Sequence, residues 1–346
     1  MTTPAPRENS ALIGHEAAEA VLAEAARSGR LHHAWLLTGP PGIGKATLAF
    51  RFARWLMAGM PAGPGGGPGA GPGAGPGAGP GRGQGLFVPE TDPVFRRVAS
   101  GGHADLLALS PNTGEKGKKQ MIRVDEVRGL RGFMSLTPAE GGFRVVVLDE
   151  PETMDAAGQN AILKTLEEPP ARAVLLLACS APGRLLPTIR SRVRRLELQT
   201  LSEPAMAQWM STALPEMPGP DRAMLARIAG GAPGRALALA EGEGLAMARL
   251  SEEALAGVAG TRALALAEAV AGREVGPMVT FFALLRSALA AGLRQAALGQ
   301  APAWLGSRSM GEWSEIWGRL GAHAVAAEKL SLDRKQAVLV ALGWLR

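Results

Sequence analysis

Apolar positions in the first 200 residues follow two rhythms. Leu12 to Gly29 sets Ala17, Val21, Leu22 and Ala25 at helical spacing and closes on a glycine, which predicts a helix. His33 to Thr38 reads as a short buried strand, followed by a glycine-rich turn and a helix to about Met57. Asp105 to Leu109 predicts a second strand, and Val124 to Met134 a helix. The β-branched run Arg144 to Leu148 has the continuous apolar character of a strand buried on both faces. A helix over Asp155 to Glu168 is stopped by Pro169-Pro170, and Ala173 to Ala178 is the next strand. Strands alternating with helices imply a mostly parallel sheet. Beyond Thr200 the strand signal vanishes, and leucine- and alanine-rich helical segments follow, broken by glycine or proline. The expectation is an α/β domain over residues 1–200, a small helical domain over 201–245 and an all-α domain over 246–346.

Residues 61–85 interrupt this pattern, being nearly all Gly, Pro and Ala with Gly-Ala-Gly-Pro recurring. Such a composition neither buries apolar surface nor forms a ladder, so a flexible insertion is expected. Glycine does not recur at every third position throughout, which excludes a collagen repeat. Lys116, Lys118 and Lys119 fall in a polar loop.

The 346 residues suit two or three domains, and 47% hydrophobic content is enough for a sizeable core. No uninterrupted apolar run reaches the ~18 residues of a membrane span, and Met1 to Ser10 lacks the order of a secretory signal. A cytoplasmic chain without membrane association is expected. One cysteine, Cys179, excludes an internal disulfide and a cysteine-built zinc site; the five histidines are dispersed without ligand spacing, so no metal ligands are expected. The net charge of +6, from 37 basic and 31 acidic residues, fits proximity to nucleic acid. It fits equally a genome that favours Ala, Gly and Arg, with which the absence of tyrosine agrees.

Gly39-Pro40-Pro41-Gly42-Ile43-Gly44-Lys45 has the spacing of a phosphate-binding loop between a strand and a helix. Its glycines let backbone N–H groups face phosphate oxygens, the helix N-terminus adds positive potential, and Lys45 would reach the outer phosphates. The next residue should be Ser or Thr, whose hydroxyl holds Mg²⁺, but it is Ala46. Thr47 comes one residue late and on a helix faces ~100° away. The loop therefore either binds nucleotide or is retained architecture. Asp149-Glu150, ending a strand, would complete such a site, Asp149 towards Mg²⁺ through water and Glu150 towards an attacking water. An acidic pair that merely opens a loop is the other reading.

Asn160 to Pro170 (NAILKTLEEPP) and Arg184 to Arg192 (RLLPTIRSR), together with the loop, closely resemble the clamp-loader branch of the AAA+ ATPases. Ser191-Arg192 is similar to that family's Ser-Arg-Cys motif, with Val193 in place of the cysteine. The resemblance implies that Arg192 projects onto a neighbouring subunit's ATP, catalytic in trans, where a permanently charged planar donor suits phosphate. Read alone, Arg192 also fits an exposed basic edge with Arg190, Arg194 and Arg195. His32 to Gly39, Gly42 to Ala49, Ala181 to Pro187 and Leu332 to Gln336 are similar to the delta-prime branch of the family, whose ATP sites are often imperfect. Asp92 to Ala99 and Gly102 to Leu107 are similar to alphaproteobacterial versions. Many relatives carry a four-cysteine zinc module after the P-loop helix; here the Gly/Pro/Ala stretch replaces it, so zinc is not implied. Ser180 falls near the sensor-1 position or caps a turn, and Arg235, in a sensor-2-like segment, is a nucleotide contact or an exposed helical arginine. Trp304, Trp313, Trp317 and Trp344 read as packing or subunit contact.

The fold so implied is an α/β P-loop (AAA+) domain, a helical lid and a C-terminal helical collar. The implied role is assistance to ATP-dependent loading of a sliding clamp onto primed DNA, with the motor (tau/gamma) and delta subunits as partners. ATP is a possible cofactor, and Mg²⁺ is disfavoured by Ala46. Two alternatives stand beside it. A hydrolysing motor subunit is favoured by Asp149-Glu150 and opposed by Ala46; an unrelated P-loop phosphotransferase is opposed by Ser191-Arg192 and by the helical second half.

Overall fold

The computed structural model describes residues 4–61, 85–111, 121–140, 142–272 and 275–346. Lys116, Lys118, Lys119 and all but the end residues of the Gly/Pro/Ala stretch lie outside the described residues. The chain divides into two compact units, Met1–Ser202 with Ala232–Gly234, and Glu203–Gly231 with Arg235–Arg346.

In the first unit, β1 (Ala34–Thr38), β2 (Leu106–Leu109), β3 (Arg144–Asp149), β4 (Ala173–Cys179) and β5 (Arg194–Glu197) form one sheet in the order β2-β3-β4-β1-β5. Every pairing is parallel. Successive strand residues point to opposite faces, and both faces are covered, which is why the central strands are apolar except at their ends. Trp35, Leu37, Val145, Val147, Val174 and Leu176 pack on one side with α1 (Glu16–Arg27), α2 (Lys45–Met57) and α3 (Pro93–Ala99). Leu36, Val146, Leu148, Leu175 and Leu177 pack on the other with α4 (Val124–Ser135), α5 (Ala156–Glu167) and α6 (Pro187–Arg190).

Local chemistry sets the helix ends. The Asp155 side chain accepts from Gly158 N–H (2.7 Å) at the start of α5, and Asp92 accepts from Val94 N–H (2.7 Å) before Pro93 opens α3. β5 overlaps the basic edge of Arg190 to Arg195, where the sequence carries no strand signal. Its sequence, Arg-Arg-Leu-Glu, is largely exposed and, among the described residues, pairs with β1 alone, so no apolar run announces it.

The second unit holds α7 (Glu203–Ala213), α8 (Gly219–Ala229), most of α9 (Pro233–Glu241), α10 (Gly244–Ala256), α11 (Gly260–Ala271), α12 (Gly276–Ala297), α13 (Met310–Lys329) and α14 (Arg334–Leu345). By length and apolarity α12 could span a bilayer, but Met278, Phe281, Phe282, Leu284, Leu285 and Leu289 bury its apolar face in the core of this unit. Met224, Ile228 and Leu239 pack against the same core, so residues before and after position 245 share one apolar interior. Trp313 is buried and meets Trp304 edge to face at 5.3 Å, while Trp317 is 40% exposed.

Candidate nucleotide site and an exposed arginine

β1 leads directly into the glycine-rich loop. Gly44 has φ +107°, a conformation that side chains resist, and a Cβ there would stand 2.9 Å from Leu12 Cδ1. Gly39 is equally constrained, because a Cβ would stand 2.9 Å from the Leu198 carbonyl. Glycine at these positions therefore answers to backbone shape and close packing. Lys45 is buried at the first position of α2, and its Nζ donates to the carbonyls of Gly39 (3.0 Å) and Pro40 (2.8 Å). The buried His15 closes the loop from the other side, with Nε2 2.8 Å from Ile43 O.

The parallel register gathers the rest of the site. Thr38 pairs with Cys179 and Asp149 with Ala178, so the loop, the end of β3 and the end of β4 share the carboxyl edge of the sheet. Asp149 is pushed up to about 6, first by burial and then by the charge of Glu150. Burial lowers the Lys45 ammonium, a shift opposed by the charges of Glu152, Asp149 and Glu150 in that order. Glu150 is exposed and sits at φ +54°, a sterically costly conformation that turns the chain sharply after Asp149.

Glu152 belongs to no motif in the sequence. One carboxylate oxygen accepts from Ser180 N–H (2.6 Å) and Ala181 N–H (3.1 Å), tying the turn after β3 to the end of β4; the other is buried with no hydrogen bond from the described residues. Burial, with help from Glu152, pushes the Cys179 thiol up to about 12 and leaves it a neutral packing group. An acidic residue soon after Asp149-Glu150 was the only sequence signal for Glu152.

The loop and Lys45 fit phosphate. The metal side fits less well, because Ala46 places a buried methyl group where a hydroxyl would meet Mg²⁺. Thr47 is also buried, on the next position of α2. Gly39, Gly42, Gly44, Lys45, Asp149, Glu150 and Ser180 all lie at this edge of the first unit. Arg235 belongs to the second unit, in α9.

Arg192 stands apart from the loop, just after α6. Its side chain is 37% exposed and pairs with Glu167 at 3.0 Å, and its Nη1 donates to Thr188 O (3.0 Å). Arg195 is braced differently, donating to Thr38 Oγ1 (3.1 Å) and pairing with Glu197.

Residues 90–202 match a family described as DNA polymerase III, delta subunit. The chain is 37% identical over 201 residues to the delta-prime subunit of DNA polymerase III from Pseudomonas aeruginosa, covering 58% of this chain and 53% of that protein. It is 33% identical over 219 residues to the delta-prime subunit from Escherichia coli, covering 63% and 57%. It is also 30% identical over 280 residues to the tau subunit from Salmonella typhimurium, covering 77% and 38%. The match thus spans little more than half the length of these delta-prime proteins.

Proposed function

We propose, from the premise that this chain is a relative of the delta-prime subunits of DNA polymerase III, that it serves in a clamp loader by completing a neighbour's ATP site. The observation that carries this reading is the contrast between Ala46 and Arg192. The chain keeps a folded phosphate loop with Lys45 in place, yet puts a methyl group at the metal-binding position. It nevertheless carries an arginine on an exposed turn, where a guanidinium can reach beyond its own chain.

In this reading the loop, with Thr47 and Ser180 as further contacts, holds ATP weakly or not at all, and hydrolysis in this chain is negligible. Bound nucleotide would supply phosphate charge to Lys45. Asp149 and Glu150, without a hydroxyl ligand opposite them, would not complete a hydrolytic metal site. Arg192 would donate to the phosphates held by an adjacent motor (tau/gamma) subunit and stabilise charge that develops in the transition state. Residues 201–245 would act as the lid and 246–346 as the collar that joins this chain to the motor and delta subunits. The assembly would open the sliding clamp and grip primed DNA in the cytoplasm.

Reconstitution with the motor and delta subunits tests this. Arg192→Ala should assemble normally but lower ATP turnover stimulated by clamp and primed DNA. Arg192→Lys should not fully restore it, because one ammonium cannot copy the planar fork. Wild-type turnover in both variants would leave a purely architectural subunit. Asp149-Glu150 and the similarity to tau favour a second reading, a hydrolysing motor. Robust Mg²⁺-dependent turnover by the isolated chain, abolished in Lys45→Ala, would select it.

A further inference from the structure

Arg192 is exposed but engaged. Two of its contacts, Thr188 O at 3.0 Å and Ser191 Oγ at 3.4 Å, come from the turn that carries it and move with it. The third partner, Glu167, belongs to another element, with its Oε1 3.0 Å from Arg192 Nη2. Glu167 is the last residue of α5. Pro169-Pro170 ends the helix, and His33 Nε2 lies 3.1 Å from the carbonyl of Leu166. The adjacent Glu168 faces a different cation, Arg131, at 3.7 Å. A carboxylate at a helix C-terminus opposes the helix dipole, so helix stability does not account for Glu167. Its pairing with Arg192 does.

We infer that Glu167 is a positioning residue for Arg192, a counter-charge within the chain that parks the guanidinium against α5 until a stronger anion replaces it. The inference rests on the trans role proposed above and names how that role is restrained. Phosphate offers more charge and more acceptor oxygens than one carboxylate, so it displaces Glu167 once it is in reach. Both side chains are open to water, 37% and 51% exposed, which keeps the parked state shallow. Exposed pairs of this kind shift an equilibrium by about fivefold at most. Glu167 therefore tunes engagement without preventing it: Arg192 leaves α5 when the neighbouring site presents phosphate, and returns when it does not.

The test is a double-mutant cycle in the reconstituted loader, with the full-length chain, motor and delta subunits, clamp and primed DNA. Glu167→Gln should raise stimulated ATP turnover by about twofold to fivefold with assembly unchanged. In an Arg192→Ala background the same substitution should have no effect, whereas a purely structural role in α5 would be indifferent to Arg192. In the isolated chain, the Arg192 Nε–Hε resonance should shift in Glu167→Gln. An unmoved resonance, unchanged or lowered turnover, or an equal effect in both backgrounds would overturn the inference while a costly Arg192→Ala kept the trans role standing. A silent Arg192→Ala would remove both.

Discussion

Replacing Asp149 with asparagine should stabilise the first unit at neutral pH. The carboxyl stands at the end of β3, half-buried and beside Glu150, which together push it up from its ordinary 3.8 to about 6. The folded chain therefore holds this proton more tightly than the unfolded chain. Below pH ~4 the group is protonated in both states and costs nothing. Between pH ~4 and ~6 the unfolded chain ionises while the folded chain resists, and above that range the full cost of a buried charge remains. The stability linked to this group is thus present below the unfolded pKa and lost as pH rises through the folded one.

A shift of about two units, at 1.36 kcal/mol each, sets a ceiling of about 3 kcal/mol. Local relaxation brings the expected gain to about 1–2 kcal/mol, or a rise in Tm of about 2–8 °C for a unit of this size. Paired thermal and urea melts of the wild type and Asp149→Asn, from pH 4.5 to 8, isolate the term as a difference. That difference should be small at the acid end and grow to its full value above pH ~7. An asparagine variant less stable than wild type at pH 7.5, or a difference independent of pH, would refute the reasoning.

Gly292→Ala should destabilise the second unit by about 1–3 kcal/mol, because the added methyl falls on the Trp304 ring and stands 3.2 Å from Pro302 Cγ. A lower Tm with altered tryptophan emission checks it, and a neutral substitution counts against the packing described. Exchanging residues 62–84 for a short Gly-Ser linker should change stability by less than about 1 kcal/mol. Both ends are pinned, Pro61 O by Trp55 Nε1 (3.0 Å) and Leu86 N–H by Glu19 (3.3 Å), and a large fall in Tm would show that the segment packs somewhere. Ending the chain near residue 245 should strip Met224, Ile228 and Leu239 of the core they pack against, giving an aggregating product that does not assemble. Light scattering would show it; a monodisperse, soluble fragment would contradict the shared core.

Much of the α/β unit was legible residue by residue, because its central strands are buried on both faces and burial leaves continuous apolar runs such as Val145 to Leu148. The phosphate loop was equally legible, since glycine spacing followed by lysine is a local demand of backbone geometry. Ala46 was visible for the same reason, as one residue at a position whose chemistry is known. β5 was not legible, because an edge strand with exposed side chains needs no hydrophobic pattern. Glu152 and Glu167 were also hidden. Each acts through a partner distant in the sequence, Ser180 in one case and Arg192 in the other, and such pairings exist only once the strands and helices are assembled. The sequence by itself therefore determined the sheet's buried strands, the loop and the missing hydroxyl, all of which follow from local spacing and residue type. Tertiary structure alone decided that Glu152 joins Asp149 and Glu150 around Lys45 and that Glu167 pairs with Arg192, because charge acts across space and not along the chain.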